Sequence, residues 1–530
     1  MKYNRLISKT LLFITFVTTS LRPIMAQDAQ LRGPINLETP VNLKTETESI
    51  TKLFDEPDNP EKIQIASPRL SALITLDKKL DPFGLDSSST RIMSLADVAR
   101  KTIDSNLDIG ISNMDQKIRK GKLLSSMGQF LPDPNLGYRY NYLYGTANVP
   151  FGTTADPLRF DNSLIIAQAG LRWYLWRGGK VLFSTLRDRN LYKAAQHSSR
   201  ATINDALLQA ARLYYDLLLQ EAILQVRIRA VDTSISQLKL NQDQKEGGLV
   251  TNLEVLQAQT QLSQDRQKLI DQQIERRDAA IRLSEFLNQP QEIDIAPATR
   301  TIVKTRLVSN ENGPNQLIDI AIKNRPELKQ FEEQRLAAKK DIKVAASKLS
   351  PTFQFNLSGL GIGETLSSSH EGVLGLNGAI KQRNKQITPL LAVGYQVNWN
   401  LEGMGTVDAA NTYAAMMNAR KAQLESSKEL NLVTSQVRRA YLAGIQTERK
   451  IEEAIAQVKS SEEELNLAQI RYQNGLAKNI DVLRAQEDYT EALIQKATSL
   501  VNFNLAQVAL LRELGKISYD SLVASVPIRN

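Results

Sequence analysis

The chain has 530 residues, of which 42% are hydrophobic and 23% charged, a balance that suits an ordered protein. It contains no cysteine, which excludes disulfides, thiolate metal sites and cysteine nucleophiles, and its two histidines, His197 and His370, leave little room for imidazole chemistry. The formal net charge of +9 includes four basic residues within 1–26, so the remaining excess is small and makes no case for a nucleic-acid partner.

Lys2, Arg5 and Lys9 precede the apolar run LLFITFVTT, and Ala26 supplies a small residue at a cleavage position. Residues 1–26 therefore read as an export signal peptide, because the run is shorter than the ~20 residues of a spanning helix. Residues 27–92, with Pro34, Pro40, Pro57, Pro60, Pro68 and Pro82, read as an extended or mobile arm. Ordered structure is expected from Ser94, whose hydroxyl can cap the helix of SLADVARKTIDSNLDI. No later stretch holds about 18 uninterrupted apolar residues, so no transmembrane helix is expected. The remainder is either soluble or crosses an outer membrane as a β-barrel.

Leu136, Tyr138, Tyr140, Tyr142 and Tyr144 alternate with residues such as Arg139 and Asn141. Ala167, Ala169, Leu171 and Trp173 alternate with Gln168 and Arg172. Period two means strands with one apolar and one polar face. Residues 180–246 have no proline and few glycines, and read as one helix about 100 Å long. Within it Leu224, Ile228, Val231, Ile235 and Leu238 trace a coiled-coil seam. The phrase GLVTNLEVLQAQ (248–259) follows; Gly247 and Gly248 allow a reversal, and Asn252 can cap a returning helix over 252–288.

After a linker over 291–316 the series repeats. LIDIA (317–321) matches LADVA (95–99) at an offset of 222, and NLEGMG matches YLWRGG at 226. Two further alternating segments, FQFNLSG and LAVGYQVNWNL, fall between these matches. From there the offset holds at 227: Arg212 and Tyr214 are answered by Arg439 and Tyr441, Leu283 and Leu287 by Leu510 and Leu514. A second proline-free rod, 406–473, carries the seam partners Ile451, Ile455, Val458, Glu462 and Leu465, Glu462 being a polar intruder. It ends at GLAKNIDVLRAQ (475–486), where Gly475 allows the turn and Asn479 can cap a return over 479–515. A register kept this long is an internal duplication, with repeats at 93–290 and 317–516 and a tail over 517–530.

A soluble sheet would need another amphipathic layer to cover its apolar face, and the helices already use their seams on one another. Strands of about 10 residues rich in tyrosine and tryptophan, with Gly-, Ser- and Asn-rich loops at 145–162 and 363–386, match outer-membrane strands. Four strands cannot close a barrel, and an open edge cannot sit in lipid, so several copies must share one. Three copies give twelve strands around a lumen. The expected fold is mainly α with β: long coiled-coil hairpins and four membrane strands per protomer, with a trimeric barrel continued by a helical tunnel.

On the two hairpin phrases and the turns WRGG and EGMG, the chain resembles the TolC-like outer-membrane efflux proteins over about residues 93–516. These are the exit ducts of tripartite pumps and type I secretion systems. The resemblance implies a homotrimer in outer-membrane lipid, a periplasmic adaptor, and an inner-membrane transporter of RND, ABC or MFS type. It implies adaptor-docking tips at Gly248, Leu249, Asn252, Gly475, Leu476 and Asn479, and a periplasmic gate at Tyr472, Lys478, Asp481 and Arg484. The pattern departs where Ala477, with Lys478 beside it, takes a basic latch position and Arg484 an acidic aperture position. Asp481 and Glu254 can equally be first-turn acids favoured by the helix dipole. No cofactor is expected.

Two other classes compete. A periplasmic adaptor would carry one hairpin and small soluble β-domains, whereas here there are two hairpins and membrane-patterned strands. An exported enzyme would need a catalytic grouping, and no Ser-His-Asp set, metal-ligand cluster or phosphate loop is found.

Overall fold

The structure, a computed structural model, describes residues 63–64, 90–147, 158–290, 293–299, 301–309, 313–364, 370–374 and 380–523. The expected signal peptide, most of the arm and residues 524–530 lie outside the described residues. In chain order the first half comprises β1 (Ile63–Gln64), β2 (Arg91–Met93), α1 (Leu95–Ser105), α2 (Leu107–Gly128), β3 (Asp133–Ala147), β4 (Leu158–Arg177), α3 (Lys180–Glu246) and α4 (Asn252–Phe286). The linker holds β5 (Ile295–Pro297) and β6 (Thr301–Ile302). The second half comprises α5 (Pro314–Asn324), α6 (Pro326–Ala346), β7 (Thr352–Gly363), β8 (His370–Leu374), β9 (Ile380–Asn384), β10 (Thr388–Asn398), α7 (Thr406–Gln473), α8 (Asn479–Glu513) and α9 (Tyr519–Val523).

Both halves open on a broken helix. The Ser94 hydroxyl accepts from the Asp97 amide at 3.2 Å and the Asp97 carboxylate from the Ser94 amide at 3.0 Å, a capping box that starts α1. The helix breaks at Asn106, whose side chain caps α2. In the second half the break falls at Arg325, held extended by Pro326, which then opens α6. Val98, Ala99, Thr102 and Asn106 are buried in one half, and Leu317, Ile318, Ala321 and Arg325 in the other. These positions correspond at an offset of 219, so the match of LADVA with LIDIA at 222 is one turn out of register. Burial toward the core sets the correspondence, and identity over five residues does not.

The four long strands form one antiparallel sheet in the order β10-β7-β4-β3, so among the described residues β3 and β10 are open edges. Directly opposed residues share a face in an antiparallel ladder. Tyr138 opposes Ala167, Ala167 opposes Gly361, and Gly361 opposes Pro389. Trp173 opposes Phe355, which opposes Tyr395, with the last two rings 5.4 Å apart. The apolar positions of all four strands therefore join into one face, and much of it is open, Tyr395 being 78% exposed. The other face carries Gln354, Asn356, Gln396 and Asn398, linked in a chain of side-chain hydrogen bonds. At 15 and 20 residues β3 and β4 exceed the expected length of about 10. They run into the expected loop 145–162, and the expected loop 363–386 contains the hairpin β8–β9.

The rods end where the sequence places them, α3 and α7 having 67 and 68 residues, and the returns α4 and α8, of 35 residues each, stop two residues short of the expected 288 and 515. Their upper parts share two apolar cores. One joins Tyr214, Leu217 and Leu283 to Ile451, Leu500 and Phe503, and the other joins Leu207 and Ala211 to Val433, Val437 and Leu511. Full burial of each leucine, isoleucine, valine or phenylalanine among them is worth about 1.5–3 kcal/mol. Lower down the expected seam does not hold. Ile235 is 44% exposed, and Ser234, Gln237 and Asn241 turn inward instead; on α7, Glu462 is exposed and Ser461 is buried. A straight α-helix drifts about 20° per heptad against a 3.5-residue repeat, so a seam drawn at the top leaves the interface further down.

The linker holds the two hairpins with opposite charge. Arg276 of α4 bonds Glu221 at 3.0 Å and Asp294 of the linker at 2.6 Å, all three side chains being buried or nearly so. Glu448, placed 227 residues after Glu221, is met instead by Lys304 of the linker at 3.3 Å and by Arg306. The strand β2 pairs with β5 in parallel, and β1 pairs with β6 antiparallel.

Candidate functional site: the two hairpin tips

Both rods end in a Schellman motif. Gly248 N–H donates to Lys245 O at 3.0 Å and Leu249 N–H to Gln244 O at 2.8 Å; Gly475 and Leu476 repeat this onto Tyr472 O and Arg471 O at 3.0 and 2.8 Å. The turn needs a left-handed residue, supplied by Gly248 (φ 74°) and Gly475 (φ 72°). Gly247, expected to share this role, has φ −75° and is an ordinary helix end. Leu249 and Leu476 are exposed at the turns.

The expected caps are displaced by one residue. Thr251 and Lys478 take the N-cap positions, and Asn252 and Asn479 are the first helical residues. Thr251 is the better cap because its hydroxyl accepts from Leu253 N–H at 3.2 Å, while Glu254 accepts from the Thr251 amide at 3.0 Å. Hydrogen bonds from Thr251 hold the Glu254 carboxyl below its usual pKa. At the second tip a lysine has no oxygen to offer, so only the reciprocal half exists: Asp481 Oδ2 accepts from the Lys478 amide at 3.1 Å. Lys478, Asp481 and Arg484 are all exposed.

Freed from capping, Asn479 is 1% exposed and joins a polar layer shared by all four helices. Its Oδ1 accepts from Gln237 at 3.1 Å and Asn241 at 3.0 Å, both on α3, and its Nδ2 donates to Glu254 O on α4 at 3.3 Å. The Tyr472 hydroxyl, on α7, donates to the side-chain oxygens of Asn241 and Gln244, each at 2.9 Å. Burial, and then the charge of Glu254, push the Tyr472 phenol above its usual pKa, so its donated proton is retained throughout the neutral range. Nearer the core a second layer repeats the device: Gln486 donates to Ser234 Oγ at 3.1 Å, and Ser234 donates to Asp265.

Of the expected site residues, Tyr472 and Asn479 are thus brought together through Asn241, while Arg484 stands apart from them. Asn252 is exposed and, among the described residues, its side chain accepts only from Lys245 Nζ, at 2.8 Å. The tips also differ in burial: Leu256 is 53% exposed, whereas Leu483, 227 residues later, is 5% exposed. Sequence reasoning missed Gln237, Asn241, Gln244 and Gln486. The polar run Ser234-Gln237-Asn241, at spacings of three and four, was the available signal. His197 is half-buried, with no partner for Nδ1 among the described residues. Among the described residues no group of three or more acidic or histidine side chains can hold a metal, and no helix is long and apolar enough to cross a membrane.

A model of the family described as outer membrane efflux protein matches residues 151–289 and 317–516, more than half of the chain. Among solved structures the chain is similar to the outer membrane protein VceC of Vibrio cholerae, with 16% identity and TM-score 0.66 over 79% of this chain and 96% of that one. It is similar to the CmeC outer membrane channel of Campylobacter jejuni, with 15% identity and TM-score 0.66 over 83% and 92%. The MtrE outer membrane channel of Neisseria gonorrhoeae, in its open state, gives 15% identity and TM-score 0.63 over 79% and 88%. Among curated protein sequences none matches. At these identities the structures carry the fold and the family model carries membership: the chain belongs to the outer membrane efflux protein family.

Proposed function

We propose that this protein is the exit duct of a tripartite efflux or type I secretion system, a homotrimer whose shared barrel lies in the outer membrane and whose helical tunnel reaches into the periplasm. The observation that carries the reading is the sheet. Four strands present one continuous, largely exposed apolar face and leave both edges unpaired, which suits one third of a barrel that needs two further copies and a lipid solvent. The repeats over 93–290 and 317–516, joined by the linker 291–316, supply two hairpins per copy and six tips per trimer.

In this reading Gly248, Leu249, Asn252, Gly475, Leu476 and Asn479 belong to the surface that a periplasmic adaptor engages, and the adaptor connects the duct to an inner-membrane transporter of RND, ABC or MFS type. Tyr472, Lys478, Asp481 and Arg484 belong to the gate. Support comes from the polar layer that ties Tyr472 and Asn479 to the first hairpin, a contact an opening movement would have to break. Tyr472→Phe combined with Asp481→Ala is expected to raise single-channel conductance in planar bilayers. Unchanged conductance would place the gate elsewhere.

A further inference from the structure

The sheet also separates its charges. Register places Arg139 (opposite Ile166), Arg172 (opposite Asn356 and Asp133) and Arg177 (opposite Thr352) on the face of Gln354 and Gln396. Arg172 and Arg177 flank a single ring, their guanidinium carbons 6.0 and 3.3 Å from the centroid of Tyr174, which faces the same way. A cation–π contact holds an arginine in place without neutralising it. Within the four strands Asp133 is the single acid on this face. Among the described residues none of the three arginines is in an ion pair with it or with another acid. Three arginines against one aspartate leave each chain with a surplus of positive charge on the polar face of its sheet.

We infer that these arginines form an anion-attracting girdle inside the barrel, so that this section of the duct favours small anions over small cations. The inference rests on the trimeric duct proposed above, in which the polar face lines the lumen. Six residues along β4 separate the Arg172 row from the Arg139 row, about 20 Å at the usual strand rise, so the charge is spread through the lumen instead of sitting at one mouth. Twelve strands about 4.8 Å apart, tilted by about 40°, close at a radius of about 12 Å. The Debye length at 0.1 M salt is about 10 Å, comparable with that radius, so the potential of nine arginines extends well into the lumen.

The test measures reversal potentials of the full-length protein in planar bilayers under a KCl gradient. Arg139→Gln with Arg172→Gln is compared with Arg139→Lys with Arg172→Lys, and Arg177 is kept because its stack supports the strand end. The glutamine pair is expected to lower the chloride-to-potassium permeability ratio by at least about twofold near 0.1 M, and by less near 1 M, where the Debye length falls to about 3 Å. The lysine pair, which keeps the charge, is expected to match the wild type. A glutamine pair with an unchanged ratio, or a lysine pair that shifts as far as the glutamine pair, overturns the girdle while leaving the duct intact. A wild-type protein that forms no conducting channel overturns the duct, and the girdle with it.

Discussion

Asn252 and Asn479 hold the same place in two copies of one phrase, yet one is exposed and the other binds three helices together. Their substitution should therefore cost very different amounts. Asn479→Ala leaves the Gln237 and Asn241 amides and the Glu254 carbonyl short of a partner, which is expected to cost about 1–3 kcal/mol for a buried group left unmade. Asn252→Ala should stay within about 0.5 kcal/mol, as exposed substitutions do. Denaturant midpoints followed by circular dichroism compare the two, and equal shifts would refute the polar layer. The acids, by contrast, share one role: Glu254 and Asp481 each accept from the amide of their own N-cap, which favours the helix-end reading of these residues. Nothing in residue identity separates Asn252 from Asn479. The difference arises because α8 packs inward against α3, a tertiary fact that a twelve-residue phrase does not contain.

At the level of elements, much was legible, and the misses share a cause. Lack of proline over 180–246 and 406–473, followed by glycine, placed both rods to within a residue, since helix ends obey local rules. Alternation placed four strands and their faces, and register bears out the faces of the residues it pairs, while Trp399 and Leu401 fall beyond the end of β10. Strand lengths, the β8–β9 hairpin and the lower seam depend on what packs beside each element, and there the periodicity fell short. The faces can be tested by neighbours in one strand. Val393 lies on the apolar face opposite Leu357, and Ala392 on the polar face opposite Ser358. In a membrane barrel Val393→Arg should cost about 2–4 kcal/mol near the bilayer midplane and deplete the assembled protein. Ala392→Arg should assemble normally. The yield of heat-resistant oligomer from outer-membrane extracts reads both, and the reverse order would invert the sheet.

For the whole molecule, the proposed barrel would require partners at the open edges of β3 and β10, because unpaired strand groups cannot stay in lipid. Detergent-extracted protein is expected to be trimeric by light scattering, and a monodisperse monomer would refute the shared barrel. Within one chain, the linker makes a different kind of demand. It meets Glu221 and Arg276 with Asp294, but meets Glu448 with Lys304 and Arg306. Position 276 corresponds at +227 to Phe503, which lies beneath Lys304 and Arg306. Exchanging the hairpins would thrust Arg276 against those two cations and leave Asp294 facing a glutamate. However alike in length and phrase, the two hairpins are no longer spare parts for one another. A chimera built from two first halves or two second halves would inherit a seat of the wrong sign.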